Sequence, residues 1–503
     1  MNEPAGPDSE LEGPETPGTS DSSGSQSASS KLGANYSKLF GATTISNLGD
    51  GVASVAYPWL ASAVTRNGLL ISLIATAQRL PWLVFTLPAG VLTDRYSRRN
   101  LMVLANSLRA GFTLVLAAVI WARQDVLPSP AELGSVDAVI RNDYVLYGVI
   151  LMATLLLGFA EVLYDNTAQT FLPSIVESHQ LERANGRLWS AEQVANTLIG
   201  PVLGAGLLAI SFSLAFLLDG VTFALSALLI ANIVPRSVVR PKAAESPADP
   251  VAVADAVADP DADDPASESP ADRISGESAA AATMRAEIME GLRWLWGHDF
   301  LRRLAIVLGL LNMLGTLATA TIVLFAQEIL GISPAVFALM GTGGAVGGVA
   351  AGWSSGPIAA RVKPGLIIAA TLVGGAITNF VIGVASSWIL VWAMFAVFMF
   401  LAVMWNVITV SLRQRVIPDH LLGRVNSVYR LFAWGMMPVG TLLAGVIIEA
   451  GTVLTDRATA LRLPWLVAGV GQLVLYVYAS RHLTTANIRA VEASVAAPAN
   501  GQG

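Results

Sequence analysis

The sequence HQLERAN at residues 179–185 recurs as HLLGRVN at residues 420–426, and four of the seven letters agree. Every matched pair is 241 positions apart, and Gly204 meets Gly445 at the same separation. Each copy follows a long apolar run and precedes another one. Four identities in register at equivalent positions indicate an internal repeat, so the chain is predicted to contain two related halves.

The composition of the 503 residues is that of a membrane protein. Hydrophobic residues make up 54% of the chain, charged residues only 13%, and the mean hydropathy is +0.59. A soluble domain carries about 25% charged residues, and a single soluble core stops growing beyond about 250–300 residues. The missing charge therefore predicts that lipid covers most of the outer surface.

Apolar runs of about 20 residues are long enough to cross a bilayer as helices. The chain offers twelve of them, at 39–64, 69–91, 100–122, 144–166, 187–210, 213–234, 303–327, 334–358, 364–385, 388–411, 425–449 and 462–481. Two neighbouring pairs are joined so tightly that ten or eleven spans is the alternative. The predicted fold is all-α, with twelve transmembrane helices in two pseudo-symmetric six-helix bundles.

Basic residues predict the orientation of these spans. If the N-terminus is cytoplasmic, 22 of the 30 Lys and Arg residues lie in inside segments, five lie in outside loops and three lie within spans. An excess of this kind follows the positive-inside rule. We therefore predict that the protein lies in the cell membrane and that both of its termini are cytoplasmic.

The predicted organisation has five parts. Residues 1–37 and the acidic tract 242–280 are rich in Ser, Pro, Asp and Glu and poor in large apolar side chains, which predicts disorder. We therefore predict a disordered cytoplasmic tail (1–37), an N-terminal bundle (38–235), a cytoplasmic linker with the acidic tract (236–300), a C-terminal bundle (301–483) and a second disordered tail (484–503).

The motif GVLTDRYSRR at residues 90–99 connects the second and third predicted spans. It resembles the signature of the major facilitator superfamily, G-x-x-x-D-R-x-G-R-R/K, with Ser97 in place of the usual Gly. The resemblance covers about residues 38–480 and implies the major facilitator fold, a transporter rather than an enzyme, and alternating access between the halves.

Four further segments resemble one branch of that superfamily, the branch that contains the enterobactin exporter and macrolide efflux proteins. They are NLGD at 47–50, Pro173 with residues 181–186, GPVLG at 200–204 and DGVTFALS at 219–226. This branch implies export of small molecules.

Charged residues inside spans are costly and usually mark pathways or paired sites. Asp50 and Arg79 lie at similar depth in spans 1 and 2, which predicts that they pair or share a polar cavity. A static ion pair and a proton- or substrate-responsive pair are both consistent with this. Glu161 is the deeper of two acids that share one face of span 4, and it is the first candidate for proton coupling or cation binding.

The other acid on that face, Asp165, lies nearer the inner end of span 4. The family resemblance implies a cytoplasmic gate there, formed by the signature residues Gly90, Asp94, Arg95, Arg98 and Arg99 together with Asp165. Asp94, Arg98 and Asp165 are predicted to form a cytoplasmic latch of the outward-facing state, with Asp94 facing the N-terminus of span 11 near residues 424–427. The alternative is a solvated charge cluster that only sets topology.

Three features admit two interpretations each. Arg109 in span 3 either attracts an anionic substrate group or pairs with an acid. Asp219 in span 6 is predicted to be a helix N-cap or a partner of Arg109 or of a loop base. Gly200, Pro201 and Gly204 in span 5 are predicted to allow close helix packing, and a related Gly/Pro stripe accompanies exporters of the superfamily.

The predicted function is proton-driven export of amphiphilic small molecules, such as drugs or siderophores. An importer of the same fold and a non-transporting sensor or scaffold, with the acidic tract docking a partner, are the alternatives. The expected partners are a small-molecule substrate, protons and the lipid bilayer. The chain has no cysteine and no nucleotide-binding loop, so we expect no cofactor, no metal site and no nucleic acid, and a monomeric protein.

Overall fold

The computed structural model describes residues 32–130, 132–134, 143–234 and 289–496. Within these ranges the chain is helical and contains no strand. The predictions for the first tail up to residue 31 and for the acidic tract 242–280 fall outside the described residues.

Eight helices precede the undescribed central segment and eight labelled helices follow it. The first eight are α1 (Ala34–Val64), α2 (Gly68–Val84), α3 (Thr86–Arg95), α4 (Arg98–Ala122), α5 (Tyr144–Phe171), α6 (Leu181–Gln193), α7 (Gly200–Leu208) and α8 (Phe212–Ala231). The others are α9 (Asp299–Thr319), α10 (Pro334–Arg361), α11 (Pro364–Val384), α12 (Trp388–Val416), α13 (Asp419–Gly435), α14 (Met437–Leu454), α15 (Arg457–His482) and α16 (Thr485–Ala496).

Several of these helices begin where the sequence provides a cap. The Asn67 side chain accepts a hydrogen bond from the Leu70 backbone N–H (2.9 Å), and Asp143 accepts from Leu146 (3.0 Å). Such side chains satisfy backbone donors that have no partner within the helix. The π-helical segment Val194–Ile199 joins α6 to α7. A second π-helical segment, Phe325–Ile329, follows α9.

Nine helices of the described ranges are long and apolar enough to cross a membrane: Arg98–Ala122, Tyr144–Ser174, Phe212–Ala231, Asp299–Ile329, Pro334–Arg361, Pro364–Val384, Trp388–Val416, Leu421–Leu454 and Arg457–His482. Each of them overlaps one predicted span. The shorter apolar helix Gly68–Val84 overlaps a tenth. The count of twelve stays a prediction.

The buried apolar side chains form three clusters. One contains only residues between 32 and 233, and another contains only residues between 295 and 488. The third combines residues 52–216 with Val323, Leu324, Ala338, Ile448 and Leu461 from the second part of the chain. The first part (residues 32–234) and the second part (289–496) therefore each have a core, and they share a third one.

Small residues bring particular helices together. A Cβ atom on Gly200 would lie 2.5 Å from Gly51 Cα, and one on Gly204 would lie 2.7 Å from the Val52 carbonyl oxygen. These close approaches, together with the adjoining Pro201, are the packing predicted for the stripe, and they join α7 to α1. Gly445 on α14, the repeat counterpart of Gly204, lies against α2 instead, where a Cβ would be 2.7 Å from Leu69 Cα.

The predicted disordered tail at 484–503 is wrong for its first part, because residues Thr485–Ala496 form α16. Ile488 is 1% exposed, and the Glu492 carboxylate lies 2.8 Å from the Arg415 guanidinium. Ile488 and Val491 belong to the apolar cluster of the second part. Two apolar residues three apart give this helix a buried side, which a composition count does not detect.

Candidate functional site

A cavity of about 670 Å³ lies between the two parts of the chain. Seven charged residues line it, all from the first part: Asp50, Arg79, Arg109, Glu161, Asp165, Glu192 and Asp219. The second part contributes Thr316, Thr319, Ala320, Ile322, Val323 and Thr441. The cavity wall is therefore acidic on one side and uncharged on the other.

The central ion pair of the cavity joins Asp50 on α1 to Arg109 on α4, through Asp50 Oδ1 and Arg109 Nη2. The Arg109 guanidinium carbon also lies 3.9 Å from the centroid of the Phe223 ring. Only 4% of Arg109 is exposed. Stacking on an aromatic ring and pairing with a carboxylate both stabilise a buried guanidinium group.

The predicted pairing of Asp50 with Arg79 is therefore not the one that forms. Arg79 lies on α2 in the same cavity wall, and no ion pair of its side chain occurs among the described residues. Counting residues from a loop gives the depth of a side chain in the membrane but not its direction around the helix axis. Both residues share the cavity, which was the other predicted possibility.

Glu161 and Asp165 both face the cavity from α5. In the part of the chain that the structure describes, neither carboxyl group has a hydrogen bond or an ion pair. Arg79 and Arg109 are the cations in electrostatic range of Glu161, and Glu192 is a further acid in range of Asp165. The spacing of four residues carries Asp165 into the cavity with Glu161.

Asp165 and Arg98 form no ion pair in this structure, so the predicted latch of the outward-facing state stays a prediction. The Arg98 guanidinium donates to the Thr170 carbonyl oxygen instead (3.1 Å). Thr170 lies in the last turn of α5, where backbone carbonyls lack helical partners and attract cations. The Asp94 side chain lies outside the described residues, so its predicted contact with span 11 stays a prediction.

The other signature residues lie at the same end of the molecule as Arg98, which we call the signature end. Gly90 lies within α3, and a Cβ on it would meet no atom within 4 Å. Arg95 is in the last turn of α3. Arg99 donates to the Ile233 carbonyl oxygen at 3.2 Å, so it fastens the end of α8 to the start of α4.

Asp219 is not the N-cap of its helix. Ser211 caps α8 and accepts a hydrogen bond from the Ser213 backbone N–H (3.2 Å), eight residues before Asp219. Asp219 lies instead in the cavity wall next to α1, where a Cβ on Gly49 would be 2.6 Å from Asp219 Oδ1. Only 2% of the residue is exposed. The signal in the sequence was a single acid inside an apolar run.

The opposite end of the molecule is held by polar contacts between the two parts, a group we call the clasp: Arg66, Gln327, Glu328, Glu449 and Arg457. Arg457 contacts Glu328 at 2.9 Å and donates to the Arg66 carbonyl oxygen at 2.7 Å. Arg66 contacts Gln327 and lies 3.6 Å from Glu328. Glu449 accepts from the Gly68 backbone N–H at 2.7 Å. Sequence reasoning treated Arg66 and Arg457 only as loop charges and missed the clasp.

The cavity wall reaches the signature end but not the clasp. Leu172, Asn185 and Leu188, which lie near the end of α5 and on α6, belong to its lining. The cavity therefore extends toward one end of the molecule, and the clasp closes the other.

Long apolar helices around a charged internal cavity define a multi-pass membrane protein with a site between its two parts. The family model described as Major Facilitator Superfamily matches residues 39–441. The chain belongs to this superfamily.

Among curated proteins, the chain is similar to the multidrug efflux pump Tap of Mycolicibacterium fortuitum, with 27% identity over 445 residues, 86% of this chain and 93% of the relative. It is 35% identical over 80 residues to the Tap pump of Mycobacterium tuberculosis (strain ATCC 25618 / H37Rv), which is 16% of this chain and 19% of that relative.

Solved structures share the fold at low sequence identity. The nucleoside transporter NupG matches with a TM-score of 0.59 at 11% identity, covering 90% of this chain and 99% of that one. An inward-facing bacterial homologue of the iron transporter ferroportin matches with a TM-score of 0.59 at 15% identity, covering 88% and 98%.

Proposed function

We propose that the protein is a secondary active transporter that exports amphiphilic small molecules in exchange for protons, by alternating access. The observation that carries this proposal is the cavity, in which carboxyl groups that form no direct ion pair among the described residues face uncharged threonine and aliphatic side chains. Export rather than import is supported by similarity to the Tap efflux pump. Within the superfamily, we propose that the chain belongs to the branch that contains the enterobactin exporter and macrolide efflux proteins.

The proposed architecture is the twelve-span one, with six-helix bundles at 38–235 and 301–483. Separate apolar cores in the two parts support it, as does the repeat at 179–185 and 420–426. The helices α2 and α14 meet at the boundary, where the Thr76 and Thr441 hydroxyl groups lie 2.7 Å apart. Contacts of this small polar kind can be broken and reformed when two rigid bodies rock.

The proposed location is the cell membrane, with both termini in the cytoplasm. In this orientation the clasp is extracellular and the signature end is cytoplasmic. The arrangement of the cavity then corresponds to a state that is open toward the cytoplasm, ready to receive a molecule for export. The gate formed by Gly90, Asp94, Arg95, Arg98 and Arg99 would close this end in the alternate state.

The charges of the cavity support a cationic substrate and proton coupling. Five carboxyl groups and two guanidinium groups line it, and one of those guanidinium groups is already paired with Asp50. An uncompensated charge inside a membrane costs about 2.5–3.5 kcal/mol on insertion scales. Glu161 and Asp165 can avoid this cost by binding protons or an organic cation, and the two ligands then compete for the same groups.

The test is transport by purified protein in proteoliposomes with an imposed proton gradient. Tetraphenylphosphonium and tetraphenylborate are suitable probes, because they match in size and apolar surface but carry opposite charge. Because both ions also cross lipid unaided, transport is the flux above that of protein-free liposomes; we expect proton-driven transport of the cation only, and we expect Glu161→Gln to reduce it by about 10–100-fold.

The matched control is Glu182→Gln, since Glu182 is exposed on α6 outside the cavity wall. Its transport should equal that of the wild type. Transport of both probes, or of the borate alone, would contradict a cationic substrate. Unchanged coupling in Glu161→Gln would remove Glu161 from the proton pathway.

A further inference from the structure

We propose that Asp219 is a second acceptor for Arg109, and that the Arg109 guanidinium exchanges between Asp50 and Asp219 during the transport cycle. This inference rests on the proposed function, because it assigns a moving part to that cycle. It makes Asp219 a positioning residue, which acts on protons and substrate through Arg109.

The first observation concerns the arginine, which is only partly satisfied. Its Nη2 atom donates to Asp50, whereas its Nε–H is buried and has no hydrogen-bond acceptor among the described residues. A buried donor without a partner is costly, and such groups are rare in folded proteins. The arginine therefore has an unused donor for a second acceptor.

The second observation concerns the acid, which lacks a partner altogether. Asp219 is 2% exposed, and its Oδ1 atom is buried with no hydrogen-bond donor in the described ranges. The Thr222 hydroxyl group donates to the Asp219 backbone carbonyl (2.7 Å) and not to its carboxyl group. The Arg109 guanidinium thus pairs with Asp50, while the buried Asp219 carboxyl group is unpaired among the described residues; Glu161 and Asp165 are also in electrostatic range of the guanidinium.

The third observation provides the path between them. Phe223, on which the guanidinium rests at 3.9 Å, lies four residues after Asp219 and therefore on the same face of α8. Asp219 Oδ1 in turn lies next to Gly49, the residue before Asp50. The arginine can pivot over the Phe223 ring from one carboxylate to the other without leaving the cavity wall.

Protons accompany the exchange. The carboxyl group that lacks Arg109 must be neutral to remain buried, so it holds a proton in each arrangement. When the arginine moves to Asp219, the Asp219 proton leaves to the cavity and Asp50 takes one up. The titratable groups around this cluster are Asp50 and Tyr57 on α1, Glu161, Tyr164 and Asp165 on α5, and Glu192 on α6.

The test is a double-mutant cycle on the full chain in detergent, combined with transport. Asp219→Asn should unfold at the same temperature as the wild type or higher, because it leaves the Asp50–Arg109 pair intact and removes an unpaired carboxyl group. Asp50→Asn should be only mildly destabilised, because Arg109 can turn to Asp219. The double variant should lose more stability than the two single variants together.

Transport separates exchange from a static role. We expect Asp219→Asn to lower proton-driven tetraphenylphosphonium flux by about tenfold and to flatten its pH profile, and Asp219→Glu to restore most of the flux. Glu182→Gln is again the control.

Additive stability losses would overturn the inference, as would normal flux and pH profile in Asp219→Asn. An Asp219→Asn protein that fails to fold would overturn it too, because its carboxyl group would then have had a stabilising partner. If the wild type moves no probe, the proposed function fails, but the stability cycle still decides whether Arg109 has two acceptors.

Discussion

Residues 32–234 contribute all seven charged groups of the cavity wall, whereas residues 289–496 contribute threonines and aliphatic side chains. The two parts nevertheless share a repeated sequence and matched glycines, Gly204 and Gly445. The second part contributes Glu328, Glu449 and Arg457 to the clasp, and its other charges lie outside the cavity wall. Both parts therefore consist of long apolar helices, while the charged residues of the cavity wall all belong to the first part.

The largest expected difference between the halves concerns an arginine in each. Arg109→Ala leaves the Asp50 carboxylate without its partner in the cavity, and breaking a buried pair this way costs about 3–5 kcal/mol. Arg430 in α13 is exposed, with only a Trp434 ring at 5.9 Å, so Arg430→Ala should cost about 0.5 kcal/mol or less.

Thermal unfolding of the two variants in the same detergent measures this contrast. Arg109→Lys keeps the positive charge, but an ammonium group cannot stack on the Phe223 ring or present paired N–H donors as a guanidinium does. The stability of this variant should therefore lie between those of Arg109→Ala and the wild type. Equal losses of stability in Arg109→Ala and Arg430→Ala would mean that the two arginines contribute equally to the free energy of unfolding.

A smaller effect is expected from the glycines of the scaffold. A Cβ on Gly204 would lie 2.7 Å from a backbone oxygen of α1, so Gly204→Ala should cost about 1–3 kcal/mol by overpacking. Gly206 lies two residues further on the same helix, and a Cβ there would meet no atom within 4 Å. Gly206→Ala should therefore stabilise α7 by about 0.5–1 kcal/mol.

The counterpart Gly445 sharpens the comparison because it packs across the boundary between the parts and not within one part. Gly445→Ala should reduce transport more than it reduces the unfolding temperature, whereas Gly204→Ala should do the reverse. Both quantities can be measured on the same preparations. If Gly204 and Gly445 respond alike, the repeat has preserved one packing role and the assignment to different boundaries is wrong.

Much of the scaffold could be predicted from the sequence, because lipid requires long apolar helices and these leave a direct trace in composition. Nine predicted spans coincide with such helices. The partners of charged residues could not be predicted, because depth in the membrane does not give the direction of a side chain. Asp50 therefore pairs with Arg109 and not with Arg79.

The clasp could not be predicted from the sequence for a different reason. Arg66 and Glu328 are 262 positions apart, and both lie near the ends of helices, where a charge is ordinary and indicates nothing by itself. Only the packing of the two parts brings them together. A residue whose partner belongs to the other half of a repeat carries no local signal.

Weakening the clasp is expected to cost less stability than removing Arg109. Glu328 contacts both Arg457 and Arg66, and its side chain is 19% exposed, so Glu328→Gln should cost about 1 kcal/mol. Such a loss would shift the equilibrium between the closed and the open clasp about fivefold without unfolding either part.

The measurement is cysteine labelling, because the chain has no native cysteine. A single Thr441→Cys in the cavity reports access from outside through its rate of reaction with a membrane-impermeant maleimide. We expect faster labelling when Glu328→Gln is added, and no change when the control Glu182→Gln is added. Unchanged labelling with Glu328→Gln would mean that apolar packing and not the clasp keeps this end shut.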